Sequence, residues 1–509
     1  MLTLIENVYA SLNGDSCADL DRTDILIDGD RIVAIGQGLR PTLNERTSDS
    51  QVIDGKHRIA IPGLVNAHLH SNESFEQGMS ERLPLELWRL RTYPPYGVPP
   101  LTEEDYYLRA LMSGIISIRC GVTTVQDDVL NMSCTPASVD GACRAYRDLG
   151  LRAWVTTSMG DRSFAASHSF VDRAQAAHLG NAVGGAHLVS APAQIELFER
   201  NRSRWHGSEQ GRIRINIGPR GPQRCTDELL RLVIGASERY GCAIHTHVLE
   251  TRAQAVTAQR DYGRSMIAHL ADMGFLGPRL TINHGIWLTD DDIGLLSRHN
   301  CSVTHNPLSN LKIGSGICRV RDLVNAGVNI ALGTDGLATS DTADMIAVLR
   351  CATMLHTVTN PDFDQWISAR EGFRMATQGG AISGLMASDL GELAVGRKAD
   401  IVLLDRQHWS FLPLHDPIAQ LAYSAPPDAV RTVLVDGQTV MRDGVIRTVD
   451  ESFVRDAVIE AAERWRHDVK PLAIAAAETM MPVMAAGYRE AIQAFETEPW
   501  AAALRRPRS

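Results

Sequence analysis

The chain has 509 residues, 22% of them charged and 44% hydrophobic, which is typical of a globular protein. Its formal net charge of -10 argues against a nucleic-acid surface and against a polybasic membrane anchor. No apolar run approaches the ~18 residues of a spanning helix, and the N-terminus lacks the features of a signal peptide. The nine cysteines form no Cys-x-x-Cys pair. We therefore expect a cytoplasmic protein with reduced thiols and no nucleic-acid or membrane partner.

The first elements in chain order are short strands, with a hairpin predicted around Asp28-Gly29-Asp30 in "DILIDGDRIVAIG". Between about 100 and 380, strand-like and helix-like stretches alternate, as in "RIRINIGPRG", "TDELLRLVIGASERYG" and "CAIHTHVLE". This alternation predicts βαβ units and a parallel sheet. About eight such strands favour an α/β fold with a closed (β/α)8 barrel of the TIM type.

Strand-like stretches return after residue 390, with turns predicted at Asp436-Gly437 and Asp443-Gly444. Because β segments flank the barrel at both chain ends, we expect them to pair into one small β-sandwich. The predicted division is 1–61 and 390–450 for the two parts of the sandwich, 62–389 for the barrel and 451–509 for an alanine-rich helical C-terminal extension.

Polar residues stand where successive predicted barrel strands end, which is where the active sites of such barrels lie. They are His68, His70, His245, His247, Glu250, His284, His305 and Asp335. Residues i and i+2 of a strand face the same side, so His68 and His70 can reach one ion. Neutral imidazoles with one carboxylate suit Zn²⁺ or Fe²⁺, and a bound ion lowers the pKa of its water toward ~7.

Six segments together carry a resemblance to a known family. They are "PGLVNAHLH", "HTHVLE", "TINHGIWLTD", "HNPLSNLKIGSG", "ALGTDG" and "GELAVGRKADIVLLD". The set resembles the amidohydrolase superfamily, and within it the branch of cytosine, guanine and adenosylhomocysteine deaminases and s-triazine (atrazine-type) hydrolases. The resemblance covers about residues 1 to 450.

The resemblance implies roles for individual residues. His68, His70, His247 and Asp335 would bind one divalent metal per subunit, Zn²⁺ or alternatively Fe²⁺. Glu250 would carry a proton from the attacking water to the leaving group, which needs a nearby acid. His284 would hold that water or polarise the attacked group, and Asp335 would also accept the water's proton.

The lysine positions favour one metal rather than two. Binuclear members of this superfamily bridge their metals with a carbamylated lysine from a middle barrel strand. This chain has no lysine between Lys56 and Lys312, so that bridge is missing from the middle strands.

The substrate-binding segments depart from the pattern of the nucleoside deaminases in this branch. Gln77-Gly78 replaces their Arg-Gly, and Arg220 in "GPRGPQRC" stands where they often have a histidine. The segment Thr339-Ser340-Asp341 replaces a common Ser-Asn-Asn. These departures argue against adenosine-type or homocysteine-type substrates.

We predict substrate contacts from Gln77, Trp88, Arg220 and His305. Arg220 and Arg224 would clamp a carboxylate or a carbonyl-rich ring, the alternative being an ion pair with Asp227 or Glu228. Trp88, Tyr93 and Tyr96 would stack on a planar ring or form an interface.

At several positions a purely structural role is the alternative to a role in the active site. His245 would contact substrate or simply pack, and His305 would do so or sit beside a helix cap formed by Asn306 and Ser309. Asp127 and Asp128 would cap the next helix or support the metal ligands, and we favour the caps.

The residues therefore predict a metal-dependent hydrolase that removes an amino group from a heterocyclic, possibly carboxylated or carbonyl-rich, small molecule. One alternative keeps the metal site but releases chloride or an alkylamine from a triazine-like ring, or cleaves an amide. A remote alternative is a non-catalytic scaffold, which the intact ligand set argues against. We expect a homo-oligomer, either a dimer or a tetramer.

Overall fold

The computed structural model describes residues 2–11, 22–40, 50–94, 98–130, 134–163, 165–172 and 189–505. Its strands in chain order are β1 (Leu2–Ala10), β2 (Arg22–Asp28), β3 (Arg31–Gly36), β4 (Ser50–Asp54), β5 (Arg58–Pro62), β6 (Leu64–His70), β7 (Val122–Val129), β8 (Arg152–Met159), β9 (Ile213–Pro219), β10 (Ile244–Val248), β11 (Leu280–His284), β12 (Ser302–His305), β13 (Asn329–Leu332), β14 (Asp335–Gly336), β15 (Ile401–Asp405), β16 (Val430–Val435), β17 (Gln438–Arg442) and β18 (Val445–Ile446).

The α-helices of the described residues are Leu85–Thr92, Glu103–Arg119, Ala137–Leu149, Ala191–Trp205, Asp227–Tyr240, Arg252–Tyr262, Met266–Asp272, Asp290–Arg298, Pro307–Lys312, Val320–Asn325, Met345–Leu355, Ala369–Arg374, Gly380–Ser383, Pro417–Tyr423, Glu451–Arg464, Lys470–Thr497 and Ala502–Arg505, and Ser208–Gly211 is a short helical turn. The 3₁₀ turns are Ser71–Glu76, Ala165–Ser167, Pro222–Arg224, Phe363–Gln365, Trp409–Phe411, Pro427–Ala429 and Pro499–Ala501, and Met375–Gly379 and Trp465–Val469 are π-helical.

One sheet is parallel and follows the order β13-β12-β11-β10-β9-β8-β7-β6-β14. Its two outermost strands, β13 and β14, are separated by only two residues, Gly333 and Thr334, so the sheet curls back toward its own beginning. The strands carry continuous runs of buried residues because helices cover their outer faces. The parallel α/β architecture expected from the alternating sequence pattern is confirmed at this level.

The other sheet is mixed and takes strands from both chain ends, in the order β18-β17-β16-β15-β5-β1-β2-β3 with β4 beside β1. Strands β5 and β15 pair antiparallel and so join the early and late segments. The three predicted turns lie between β2 and β3, β16 and β17, and β17 and β18. Asp436 and Gly437, with φ of 48° and 72°, both adopt the left-handed conformation of a tight hairpin turn.

The C-terminal extension forms a nearly continuous helical run, and its long helix Lys470–Thr497 packs against helices Leu85–Thr92 and Arg252–Tyr262. By length and composition alone, the run 451–497 contains a window apolar enough to cross a membrane, with a mean hydropathy of 1.2 and 33% of the window buried. The sequence interpretation missed this stretch because Glu478 and Pro482 interrupt its apolar residues. One such helix is weak evidence for a membrane protein, since a packed helix of a soluble protein passes the same test.

Candidate metal centre and cavity

Four side chains from three strands of the parallel sheet point their ligand atoms at one place. Nε2 of His70 lies 3.2 Å from Nε2 of His247, across the sheet from β6 to β10. Oδ1 of Asp335 on β14 lies 3.5 Å from Nε2 of His68 and 3.4 Å from Nε2 of His70. The two imidazoles of β6 are both turned inward, as the two-residue period of a strand predicts.

The chemistry of these atoms fits a divalent metal. Nε2 of His68 is buried and makes no hydrogen bond within the described part of the chain, and such an atom is costly unless something binds it. Burial lowers the pKa of His68 to about 3, so the imidazole is neutral at pH 7. Ligand atoms of His68, His70 and Asp335 lie within 4.8 Å of one another, as do those of His68, His247 and His284. Neutral imidazoles with one carboxylate form the donor set that Zn²⁺ prefers.

The neighbouring groups fix the orientation of the ligands. Nδ1 of His70 donates to the backbone oxygen of Asp128 at 2.6 Å, which leaves Nε2 facing the cluster. Nδ1 of His68 lies 3.1 Å from Nε2 of His245 and is held in the same way. Metal-binding histidines are usually oriented by such a bond from their second nitrogen. His245, for which the sequence allows either substrate contact or packing, therefore contacts a candidate ligand.

Glu250 and His284 lie beside this cluster. Nε2 of His284 is 3.9 Å from Oε2 of Glu250 and 3.8 Å from Oδ2 of Asp335. On the other side of the ring, Nδ1 of His284 lies 2.9 Å from Oδ1 of Asn310. Burial raises the pKa of Glu250, although His284 opposes this, so its carboxyl group keeps a proton to higher pH than an exposed glutamate.

The backbone is strained where these groups are presented. Leu249, His284 and Asp335 have φ of 52°, 71° and 62°, in the left-handed region that non-glycine residues rarely adopt. Each such residue costs on the order of 1–3 kcal/mol and persists only where surrounding contacts impose it. Asp335 is held by Ser309, whose Oγ donates to Oδ2 at 2.6 Å, and by the Gly336 amide, which donates to Oδ1 at 2.7 Å.

A cavity of about 470 Å³ opens onto the cluster. Beyond the cluster residues, its wall includes Glu73, Leu85, Trp88, Arg89, Tyr93, Leu130, Arg220, Gln223, Arg224, Gln254 and Thr339. Its wall combines aromatic and apolar side chains with a few polar and charged groups, as small-molecule sites do. Two predicted substrate contacts, Trp88 and Arg220, lie in the wall, as does Tyr93. Tyr96 lies outside the described residues.

Two other predicted contacts, Gln77 and His305, are absent from the cavity wall. The Gln77 amide donates to the backbone oxygen of Asp341 at 2.9 Å, which ties it to the loop after β14. His305 is fully buried at the end of β12, and its ring centroid is 5.4 Å from that of His356. Neither side chain faces the cavity in this structure, because one bonds the next loop and the other packs in the interior.

The helix-cap interpretation of Asp127 and Asp128 was wrong. Both residues lie within β7 and are fully buried. Asp127 accepts hydrogen bonds from Ser71 Oγ at 2.5 Å and from Tyr146 OH at 2.7 Å. Oδ2 of Asp128 is 3.7 Å from Nδ1 of His247, so this carboxylate lies against the metal-facing imidazoles. Both aspartates therefore support the end of β6 and the cluster rather than a helix terminus.

Glu73 is a cavity residue that the sequence interpretation missed. It accepts a hydrogen bond from Tyr93 OH at 2.6 Å, and burial raises its pKa to about 8. The sequence contained a signal for it, because Glu73 follows His70 by three residues, within the first turn after the strand.

The alternative of an ion pair to Asp227 or Glu228 is not what the structure shows for Arg224. Asp227 instead lies 3.7 Å from Arg231 and 3.2 Å from His269. Among the described residues, Arg224 has no acidic partner within ion-pair distance, and Nε of Arg220 donates to Ser158 Oγ at 3.2 Å. Both arginines remain directed at the cavity.

The fold and the site define the chain as a hydrolase of the metal-dependent class. It belongs to the amidohydrolase family, whose model matches residues 59–440. Relatives named as deaminases share 30% or more of their residues with it across most of both chains, so it is a hydrolase that acts on C–N bonds. The resemblance seen in the sequence motifs is confirmed.

Two relatives and two solved structures illustrate the similarity. A 5'-deoxyadenosine deaminase of Methanosarcina barkeri is 32% identical and covers 90% of this chain and 97% of its own. A 5-methylthioadenosine/S-adenosylhomocysteine deaminase of Thermococcus kodakarensis is 34% identical, and the match covers 87% of this chain and 94% of the relative. An adenosine deaminase from Xanthomonas campestris with bound zinc is 24% identical with a TM-score of 0.80, covering 91% and 98%. A mutant atrazine chlorohydrolase from Arthrobacter aurescens TC1, with zinc and atraton, is 25% identical with a TM-score of 0.79, covering 90% and 100%.

Proposed function

We propose that this enzyme removes an amino group from a heterocyclic small molecule by hydrolysis, at a site holding one divalent metal ion. The observation that carries this proposal is the convergence of the atoms around the buried, unpartnered Nε2 of His68, with the protonatable Glu250 alongside. The deaminase names of the relatives support the same reaction.

The proposed ligands are His68, His70, His247 and Asp335, binding Zn²⁺ or alternatively Fe²⁺. When bound, a divalent ion supplies Lewis-acid chemistry that makes hydroxide available from water near pH 7. A single ion is favoured because the chain has no lysine between Lys56 and Lys312 to bridge two ions.

Two residues perform the proposed proton transfers, and a third holds the attacking water. Hydrolysis forms a C–O bond, breaks the C–N bond and moves one proton to the departing nitrogen, which leaves as ammonia. Glu250, whose pKa is raised by burial, delivers that proton. Nδ1 of His284 donates to Oδ1 of Asn310, which leaves Nε2 to accept a hydrogen bond from the attacking water and hold it in place. Asp335 accepts a proton from the attacking water.

The proposed substrate ring lies against Trp88. Its indole is 4% exposed, lines the cavity, and has a ring centroid 6.0 Å from that of Tyr93 in an edge-on arrangement. A planar heterocycle stacks favourably on such a surface. The relatives are named for purine nucleosides, whereas Arg220 and the Gln77-Gly78 pair depart from the nucleoside deaminase pattern. The proposal is therefore an aminated ring that Arg220 contacts where the nucleoside deaminase pattern has a histidine.

Ammonia release by the Zn²⁺-loaded and the Fe²⁺-loaded protein tests this function. The screen spans purines and their nucleosides, pyrimidines, pterins, triazines and carboxylated heterocycles. Ammonia formed with one equivalent of hydroxylated product supports the proposal, and Glu250→Gln should slow it by about 10²–10⁴-fold. The matched control is Glu371→Gln, a half-buried glutamate on helix Ala369–Arg374, outside the cavity wall. No ammonia from any class would contradict the deaminase assignment.

A second candidate reaction uses the same residues but a different leaving group. It is favoured by the TM-score of 0.79 to the atrazine chlorohydrolase at 25% identity. In this case the protein would release chloride or an alkylamine from a triazine-like ring, or cleave an amide. Chloride determination and mass spectrometry on the triazine members of the screen separate the two reactions.

We also propose finer features of the fold and assembly. The curled sheet forms a closed (β/α)8 barrel over 62–389, and 1–61 with 390–450 form a β-sandwich, with 451–509 as an extension. The enzyme is proposed to be a cytoplasmic dimer or tetramer. Trp409 and Phe453, 85% and 73% exposed, suit a subunit interface. Light scattering on the purified protein measures the subunit number.

A further inference from the structure

Three arginines face the same cavity from two different parts of the chain. Arg89 lies on helix Leu85–Thr92, and Arg220 and Arg224 follow β9. Burial is the main cause that lowers the pKa of Arg89, and the nearby charges of Arg224 and Arg220 lower it further. Burial and Arg220 likewise lower the pKa of Arg224 to about 10. Guanidinium groups in proteins keep their charge at pH 7, so three positive charges meet in this part of the cavity.

Glu250 lies near enough to Arg89 and Arg224 to oppose the lowering of both pKa values, but it forms no ion pair with either arginine. Neither Arg89 nor Arg224 has a carboxylate within ion-pair distance in the described part of the chain, and Nη1 of Arg89 and Nε of Arg224 are buried without a hydrogen bond. The partners of Arg220 include the neutral Ser158 and Cys134. Glu86, a nearby acid, has its pKa raised by burial to about 7 and accepts from Thr251 instead.

Arg152, a buried arginine outside the cavity wall, is paired with carboxylates. Arg152 is fully buried at the start of β8, and it is bound by the carboxylates of Asp400 and Asp436. That arrangement is the usual way to bury a guanidinium group. Arg89 and Arg224 have no such carboxylate among the described residues, and this contrast points to a negative charge supplied by a ligand.

Arg89 and Arg224 line two neighbouring cavities. A second cavity of about 300 Å³ shares Leu85, Arg89, Gln223, Arg224 and Gln254 with the first. Its remaining wall consists of Glu86, Ser167, His168, Phe170 and Thr257. A group attached to a ring in the first cavity would therefore pass the guanidinium groups before entering the second.

We infer that Arg89, Arg220 and Arg224 form an oxyanion subsite, and that the substrate is an aminated heterocycle bearing a carboxylate or phosphate group. This inference rests on the proposed function and specifies its substrate class. Guanidinium groups bind both oxyanions through paired N–H donors. The subsite also explains why Arg220 stands where the nucleoside deaminases of this branch often have a histidine. A nucleoside without an anionic group offers an arginine no charged partner.

Paired compounds that differ only in the anionic group test the subsite. The pairs are pterin with pterin-6-carboxylate, and adenosine with its 5'-carboxylate and its 5'-monophosphate. The Zn²⁺-loaded enzyme should turn over one anionic member with a kcat/KM about 10–1000-fold above that of its neutral partner. Arg89→Met and Arg224→Met should each raise KM for that member by about 10–100-fold and remove most of its preference over the neutral partner. Arg231→Met is the matched control, since Arg231 is exposed and lies outside the cavity.

A binding measurement keeps the test independent of turnover. Calorimetry on metal-loaded Glu250→Gln should detect pterin-6-carboxylate or the monophosphate binding at least tenfold more tightly than its neutral partner, with that preference lost in Arg224→Met. Preference for the carboxylate or for the phosphate identifies the oxyanion. If anionic ligands bind selectively but ammonia is never released, the proposed reaction fails while the subsite stands. Equal binding of anionic and neutral partners would overturn the subsite, whatever the activity.

Discussion

Nδ1 of His68 lies 3.1 Å from Nε2 of His245, so one buried imidazole orients another. Both rings are buried, and burial lowers the pKa of His245 well below its usual range, which keeps the ring neutral. A metal bound at Nε2 of His68 would place the proton of that ring on Nδ1, which then donates to Nε2 of His245.

This relationship predicts that His245 determines metal affinity without being a ligand. His245→Ala should weaken metal binding by about 10–100-fold, as is usual when the partner of a ligand histidine is removed. Competition with a metal chelator measures the affinity. His245→Gln retains an acceptor and should recover most of it. Equal affinity in all three proteins would show that His68 does not depend on His245.

Asn310 should control the catalytic contribution of His284. Its Oδ1 lies 2.9 Å from Nδ1 of the imidazole and so selects the tautomer. Asn310→Ala should lower kcat by about 10–100-fold and change KM little. This loss in kcat is smaller than the loss expected when a proton-transfer group itself is removed. Steady-state kinetics on the best screened substrate measures both constants. An effect on KM alone would mean that Asn310 positions substrate rather than His284.

The carboxylates around Arg152 should contribute strongly to the attachment of the mixed sheet to the parallel sheet. Arg152 begins β8, whereas Asp400 and Asp436 flank β15 and β16. Asp436→Asn should lower the free energy of unfolding by about 3–5 kcal/mol, because a buried charge loses a partner. Denaturant unfolding measures this. The triple variant Arg152→Met, Asp400→Asn, Asp436→Asn should be closer to wild type than the single one, and a larger loss would contradict the argument.

Glu86 should make the protein less stable as pH rises toward neutrality. Burial raises its pKa to about 7, above its ordinary value of 4.5, so the folded state binds more protons than the unfolded state between these values. Its contribution is therefore fully present below pH 4.5 and falls by about 3 kcal/mol as pH rises through 7. Glu86→Gln removes this term. Its unfolding free energy relative to wild type should rise over that range, and a constant difference would contradict the assigned pKa.

The strand-end histidines were predictable from sequence because two physical rules act on them directly. Period-two alternation places His68 and His70 on one face, and parallel strands end at one edge, which brings His247, His284 and Asp335 together. Asp128 followed no such rule. Strand β7 is buried on both faces, so polarity along it does not indicate which carboxylate faces the site.

Residues outside the strands were predictable only in part. Trp88 and Arg220 reach the cavity, but Gln77 bonds Asp341 and His305 is buried behind the wall. Their directions depend on how loops and helices pack, which short-range patterns do not encode. Arg89 was missed for the same reason. It follows Trp88 on helix Leu85–Thr92, and the packing of that helix brings both side chains to the cavity.

Metal content per chain is the most direct test of the central claim. Inductively coupled plasma mass spectrometry on protein reconstituted with Zn²⁺ and then freed of excess ion should find about one ion per chain. His68→Ala and His70→Ala should each reduce that ratio sharply, and His408→Ala, remote from the cluster, should not. Two ions per chain would contradict the single-metal site, and none in the wild-type protein would contradict the metal centre itself.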